Sequence, residues 1–281
     1  STWIVIRDQL AVVPPSWSVC YRFGLAGAAM MLLAAVQGKR LLLDRAAIGF
    51  TLLLGLAQFS INFNFVYRAE AYVTSGLVAV MFALLIVPNT LLSRLFLGTR
   101  VSRPFLIGAS IAVAGVALML LHEHRASPLD PQGVWIGAAL TAVGIMGASI
   151  ANVMQATDFA RRQDIIVMLA WAMLWGTLAS ASWAWATAGP PVIEWRAGYL
   201  SGIAYLGLAG SVVTFPLYFR IIREVGPGPA AWSSVLIPVI AMAISTAVEG
   251  YRWTLLAGIG VALVCLGLII ALKPGAGQAR R

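Results

Sequence analysis

The chain has 281 residues, 60% of them hydrophobic and only 10% charged, with a formal net charge of +9 and a mean hydropathy of +0.89. An ordinary globular domain carries about 25% charged residues, and no water-soluble fold can hide this much apolar surface. A soluble domain is excluded, and the composition is that of an integral membrane protein.

A spanning helix needs about 20 mostly apolar residues, and the charged positions cut the chain into stretches of about that length. Ser1 to Asp8 is apolar and helix-compatible but too short to cross a bilayer alone. With no basic leader or small-residue cleavage site, it reads as the second half of a first span rather than a signal peptide. The second span runs from about Trp17 to Gln37 and holds one charge, Arg22, near its start. Charge-free runs then follow at Ala46 to Tyr67, Ala71 to Ser93, Pro104 to Leu121, Pro131 to Thr157, Ile165 to Ile193, Ala197 to Phe219, Val225 to Val248 and Trp253 to Leu272. The expected fold is all-α and integral to the membrane, with about ten transmembrane helices.

Basic residues alternate between loops. Lys39, Arg40, Arg45, Arg94, Arg100, Arg103, Arg161, Arg162, Arg220, Arg223, Lys273, Arg280 and Arg281 fall on one set, 13 of the 19 Lys and Arg. Arg7, Arg68, Arg125, Arg196 and Arg252 fall on the other. The positive-inside rule places the richer set and both termini in the cytoplasm. Basicity therefore reports topology, and nucleic acid is not an expected partner.

The longest polar connection, residues 122–132 (HEHRASPLDPQ), separates residues 1–121 from 133–273, and residues 274–281 form a cytoplasmic tail. Five spans per half force the halves to point in opposite directions, an inverted repeat that secondary transporters use to build a midplane site. A weak match at an offset of about 150 supports duplication: Pro88 precedes Leu97-Gly98-Thr99-Arg100 as Pro238 precedes Ala247-Val248-Glu249-Gly250. The next spans carry Gly108, Ala112 and Gly115 against Gly258, Gly260 and Gly267, spaced small residues that let helices approach closely.

Every Asp and Glu sits at a span end or in a loop, which argues against a carboxylate-driven proton antiporter and against cationic drugs as preferred cargo. Uncoupled movement down the substrate's own gradient is the simplest expectation. No G-x-x-x-x-G-K-[ST] loop exists for ATP, and Lys39 and Lys273 are the only lysines. Cys20 and Cys265 lie inside spans in opposite halves and read as core residues. His122 and His124 have no third ligand nearby, so neither metal nor cofactor is expected.

Polar and aromatic side chains inside the spans are the candidates for a substrate cavity: Trp3, Gln58, Asn62, Met81, Phe82, Met146, Ser149, Asn152, Trp175, Tyr205 and Ser234. Gln58 and Asn62 share a helix face, as do Ser149 and Asn152, with Met146 one turn before. Interhelical hydrogen bonding is the competing reading for the polar groups, and packing for the aromatic ones. Pro88 and Pro238 each remove a backbone donor and read as helix breaks or hinges, or as packing kinks. Arg22 either snorkels to the outer interface or serves as an outer-gate or carboxylate contact.

Several motifs resemble EamA-type carriers of the drug/metabolite transporter superfamily. Ser1-Thr2-Trp3 is similar to the tail of the family's WGSTW motif, and Tyr21-Arg22-Phe23 to its RF motif. Tyr72-Val73-Thr74-Ser75-Gly76, Phe82-Ala83-Leu84, Pro88 and Leu95-Phe96-Leu97-Gly98 resemble its fourth span, and Ile107-Gly108 to Gly115-Val116 its fifth. The family usually has Glu where Thr99 stands, while Glu249 keeps it in the second half. The resemblance implies alternating access in a bacterial cytoplasmic (inner) membrane, with a monomer as the working unit. It also implies export of small neutral or zwitterionic metabolites, hydrophobic and aromatic amino acids foremost. Other exporters of the fold, for drugs, sugars or nucleosides, are the alternative. A membrane scaffold or membrane enzyme is the alternative from another class.

Overall fold

A computed structural model describes residues 2–10, 12–126, 131–230, 236–251 and 253–272. Among these the chain is helical throughout, in ten principal helices: α1 (Thr2–Gln9), α2 (Pro15–Val36), α3 (Arg45–Ala69), α4 (Ser75–Leu97), α5 (Arg103–Ala126), α6 (Pro131–Gln155), α7 (Ile165–Ala188), α8 (Ala197–Val225), α9 (Leu236–Glu249) and α10 (Leu255–Ala271). Helices α2 to α8 are long and apolar enough to cross a membrane. Short helical turns at Asp158–Arg162 and Pro227–Ala230 join α6 to α7 and lead out of α8.

Backbone groups in lipid have no water to bond, so helices begin and end on capped turns. Pro15 opens α2 in the first turn, where a missing N–H has no consequence. The side chains of Asp44, Thr74, Asp164 and Thr254 accept from the first amides of α3, α4, α7 and α10. Gly98, with φ +68, ends α4 in the left-handed conformation.

Three helices pack on the one five places later, α2 on α7, α4 on α9 and α5 on α10. Along α5 and α10 this packing uses glycine as backbone contact surface. A Cβ at Gly108 would lie 2.3 Å from the Gly267 carbonyl oxygen, and one at Gly115 2.6 Å from that of Gly260. Gly258 faces open space and takes no part. Helix α2 packs on α7, and α3 on α7 through Gly55 and Gly176. Interior polar groups tie helices together: Asn64 Nδ2 donates to the Ser60 carbonyl and to Ser180 Oγ of α7, each at 3.0 Å. Such bonds are worth about 0.6 kcal/mol each between membrane helices. Leu32, Leu53, Phe96, Leu178 and Leu217 face outward instead.

Two helices leave α-geometry at matching places. Residues Gly55–Asn62 of α3 and Leu208–Val213 of α8 are π-helical. Side chains adapt to the wider turn: Ser211 Oγ donates to Leu206 O and Thr214 Oγ1 to Ala209 O, both five residues back. In α4, a 3₁₀ turn at Ala83–Leu85 precedes Pro88, whose missing N–H leaves the Leu84 carbonyl without an α-helical partner. Pro238 is the third residue of α9 as described, in the first turn, and is buried there.

The loops gather at two ends. Arg7 to Glu249 at 2.7 Å, Arg196 to Asp8 at 2.8 Å and Trp17 Nε1 to Gly189 O at 3.3 Å hold the α1–α2 end. Trp17 is thus enclosed by protein. Lys39 to Asp164 at 2.7 Å and Arg223 Nη1 to Gln163 O at 2.9 Å hold the α2–α3 end. Partial burial opposes ionisation of Asp164, yet the bonds from Lys39 and from the Val167 and Ile166 amides hold its carboxyl below the usual carboxylate range.

Candidate substrate cavity

A cavity of about 410 Å³ lies where the two π segments face the 3₁₀ turn of α4. Its walls are Thr2, Trp3 and Ile6 of α1, Arg22 of α2, Gln58, Asn62, Phe63 and Val66 of α3, and Phe82 and Leu85 of α4. They are completed by Ala148 and Asn152 of α6, Gly210, Thr214, Phe215 and Tyr218 of α8, and Ile237 of α9. Trp3 and Phe82 meet at a tilt with 5.1 Å between ring centroids, and Phe63 and Phe215 meet edge to face at 6.2 Å. The wall is aromatic, with few polar groups.

Those polar groups are incompletely bonded within the protein. Arg22 is 1% exposed; its Nε donates to Ser211 Oγ at 3.2 Å and its Nη2 to the Gly210 carbonyl at 3.4 Å. Its guanidinium carbon lies 4.4 Å from the Phe63 ring centroid. Nη1 has no protein partner, nor do Gln58 Oε1, Asn62 Oδ1 and Asn152 Oδ1. Asn152 Nδ2 is engaged, with Asn89 Oδ1 at 3.3 Å and Tyr218 OH at 3.5 Å. Buried polar atoms are nearly always paired, so one cationic donor and three amide oxygens left unbonded on residues of one cavity wall are the candidates for contact with a polar guest. The same geometry corrects the snorkelling reading of Arg22. Its face of α2 packs on the π segment of α8, which supplies Ser211 and Gly210 as partners, so the charge stays inside the bundle.

Of the residues expected from sequence, Trp3, Gln58, Asn62, Phe82 and Asn152 line this cavity together with Arg22. Met81 is buried in the apolar core on another face of α4. Ser149 is fully buried with its Oγ unpartnered, away from the cavity wall. Met146 is 45% exposed. Each three-residue step along a helix turns the side chain by about 60°, so Met146 points about 120° away from Asn152. Tyr205 is 43% exposed, and Trp175 stacks on Trp171, whose Nε1 donates to Leu41 O. Neither lines the cavity. Ser234 lies outside the described residues. Pro88 and Pro238 border no part of the wall; the matched interruptions that do are the π segments.

Three comparisons give these features a context. The model of the EamA-like transporter family matches residues 1–121 and 133–273. This chain belongs to the EamA-like transporter family. It is similar to the protein PagO of Salmonella typhimurium, 25% identical with 89% of this chain and 81% of that one aligned. It also resembles the uncharacterized inner membrane transporter YedA of Escherichia coli K12, 25% identical over 96% and 85%, and the uncharacterized transporter YoaV of Bacillus subtilis, 22% identical over 96% and 91%. A solved crystal structure aligns over 100% of this chain and 96% of the other at a TM-score of 0.69 and 20% identity, a likeness of fold.

In this EamA-like chain, Glu249 ends α9 with every oxygen engaged: Arg7, the Ser75 amide and hydroxyl, and the Ser245 hydroxyl all donate to it. Thr99 is exposed beyond the end of α4 at the opposite end of the bundle. The α8 contributions Thr214, Phe215 and Tyr218 were not anticipated. Their i, i+1 and i+4 spacing was a visible signal, but the apolar stretch that holds Phe215, Tyr218 and Phe219 gives no indication of which ring turns inward. Glu70 was missed as well. It looked like a solvated loop residue, yet it is 2% exposed, with neither carboxyl oxygen bonded.

Proposed function

We propose that this chain is a secondary carrier that exports small amphipathic zwitterions, hydrophobic and aromatic amino acids foremost, across the bacterial inner membrane by alternating access. The observation that carries this reading is the set of unbonded polar atoms, Arg22 Nη1 and the amide oxygens of Gln58, Asn62 and Asn152, on residues that share an aromatic cavity wall. The guanidinium matches a carboxylate, the amide oxygens accept from an ammonium, and the rings take an apolar side chain. The resemblance of the sequence motifs to EamA-type carriers, and the weaker one to the bacterial aromatic amino acid exporter YddG, implies the same cargo. The described cavity wall holds no His, Cys, Asp or Glu, so a transport role accounts for it better than an acid–base or nucleophilic one.

The 13 to 5 bias of basic residues puts the α1–α2 end outside and both termini in the cytoplasm. Residues 1–121 and 133–273 then form inverted repeats that would rock about the cavity they share. Binding to purified protein tests the reading: L-phenylalanine and L-tryptophan should bind, and phenethylamine, which lacks the carboxylate, should bind more weakly. Preferential binding of the amine, of a nucleoside or of a quaternary ammonium drug would overturn it.

A further inference from the structure

Glu70 is the C-cap residue of α3, at the α1–α2 end, and the cavity of Arg22 lies below it. The end of α3 already carries the partial negative charge of unpaired helix carbonyls, a poor place for a carboxylate. Glu249, on α9, is the acid whose charge acts on Glu70, and its oxygens are fully occupied. Glu70 has no such partners: both oxygens are buried and unbonded, and Gln9 Nε2 is likewise buried and unbonded. Tyr67 OH, one turn back on α3, donates to Gln9 Oε1 at 3.3 Å.

Four groups set the field at this carboxyl. Burial pushes Glu70 well above the usual carboxylate range, and Glu249 adds to the rise, while Arg7 of α1 and Arg22 of α2 oppose it. Tyr67 of α3 is itself within reach of both Glu70 and Arg22. Nearby Arg68 is committed elsewhere, to Ser16 Oγ at 2.8 Å and over the Trp183 ring. Glu123 and His122 of α5 face the Arg7–Glu249 pair. Arg7 is held by Glu249, so Arg22, a cavity-wall residue with Nη1 unbonded, is the cation whose balance a ligand can change.

We propose that Glu70 is a proton-binding site linked through Arg22 to the substrate site, so that binding of a substrate carboxylate is accompanied by uptake of a proton at Glu70. The proposal rests on the carrier reading above. When the cavity is empty, the positive charge of Arg22 favours ionised Glu70. A carboxylate on Nη1 neutralises that charge, and an acid in the surrounding water then gives up its proton to form the Glu70 O–H bond. Linkage is reciprocal: ionised Glu70 competes with substrate for the Arg22 field, and affinity falls as pH rises through the Glu70 titration. The sequence expectation of no carboxylate involvement placed Glu70 in water because it stands at a span end. In the fold α1, α2 and α9 cover it.

The test is isothermal titration of L-phenylalanine into the purified full-length protein, in phosphate and in Tris, across the range from about pH 5 to about pH 8.5. The difference between buffers counts protons. A tenfold linkage predicts uptake that peaks near about 0.5 proton per substrate, and an affinity about tenfold weaker at the alkaline end. In Glu70→Gln both effects should vanish while binding remains. Phenethylamine, which lacks the carboxylate and stays protonated across this range, should bind wild type without uptake, a control that does not depend on the variant folding. Binding of L-phenylalanine without proton uptake at any pH overturns the linkage and leaves the carrier reading standing, as does equal uptake in Glu70→Gln. No binding at all overturns the carrier reading and the linkage with it.

Discussion

Replacing Arg22 with Gln isolates what its charge does. The side chain spends Nε and Nη2 on Ser211 and Gly210 and leaves Nη1 to the cavity, so a substrate carboxylate would gain one charge-assisted bond. Hydrogen bonds to charged groups are worth about 1.5 to 3 kcal/mol, which corresponds to a loss of about 10- to 150-fold in affinity. The fold should tolerate the change. Ser211 Oγ keeps its bond to Leu206 O at 2.8 Å, and the glutamine can still reach Ser211. Removing a buried charge that has no carboxylate partner is often neutral for stability. The assay is equilibrium binding of L-phenylalanine and of phenethylamine to wild type and Arg22→Gln, with monodispersity in detergent as the folding control. The amino acid should lose its affinity and the amine should not. Equal losses for both ligands, or none for either, would refute a carboxylate contact and return Arg22 to a structural role between α2 and α8.

Asn62→Leu should reduce transport of L-phenylalanine by about tenfold with folded yield nearly unchanged, because Asn62 Oδ1 has no partner to lose within the protein. Unchanged uptake would make Asn62 a packing residue. Gly108→Ala should lower thermal stability by about 1 to 3 kcal/mol, since its Cβ would meet the Ala271 nitrogen at 2.2 Å, whereas Gly258→Ala, in open space, should be neutral. Matching melting curves for the two variants would refute glycine-mediated contact between α5 and α10. Single cysteines at Gln37 and Ala188, in a background lacking Cys20 and Cys265, should differ in labelling of intact cells by an impermeant reagent. Only the one at Ala188 should react, and reaction at Gln37 alone would invert the topology.

Helix number and type were legible because membrane spans are specified by length and charge, which a sequence displays directly. The glycines of α5 and α10 could be seen as small-residue stripes, although the fold excludes Gly258 and only coordinates distinguish it from Gly260. The cavity was legible for Gln58, Asn62 and Asn152, polar groups that are rare in lipid-facing helices. It was misread for Met146 and Tyr205, where helical spacing puts residues on one stripe without fixing which way the stripe faces. The π segments had no signature in Gly55–Asn62 or Leu208–Val213, because the extra residue per turn is imposed by packing against α6, α7 and α2. Glu70 was placed in water by its position at a span end, and Arg22 was left between the outer interface and a carboxylate contact. Both are buried because α1, α2, α8 and α9 close over the α1–α2 end, a tertiary fact invisible to hydropathy.

Counterflow in proteoliposomes tests the central claim most directly. Vesicles containing only this protein and preloaded with unlabelled L-phenylalanine should accumulate external labelled L-phenylalanine transiently above its equilibrium level, with no imposed pH or sodium gradient, and Arg22→Gln should show far slower uptake at the same substrate concentration. Absence of counterflow in the wild type, with robust uptake of a quaternary ammonium compound or a nucleoside by the same vesicles, would contradict the account.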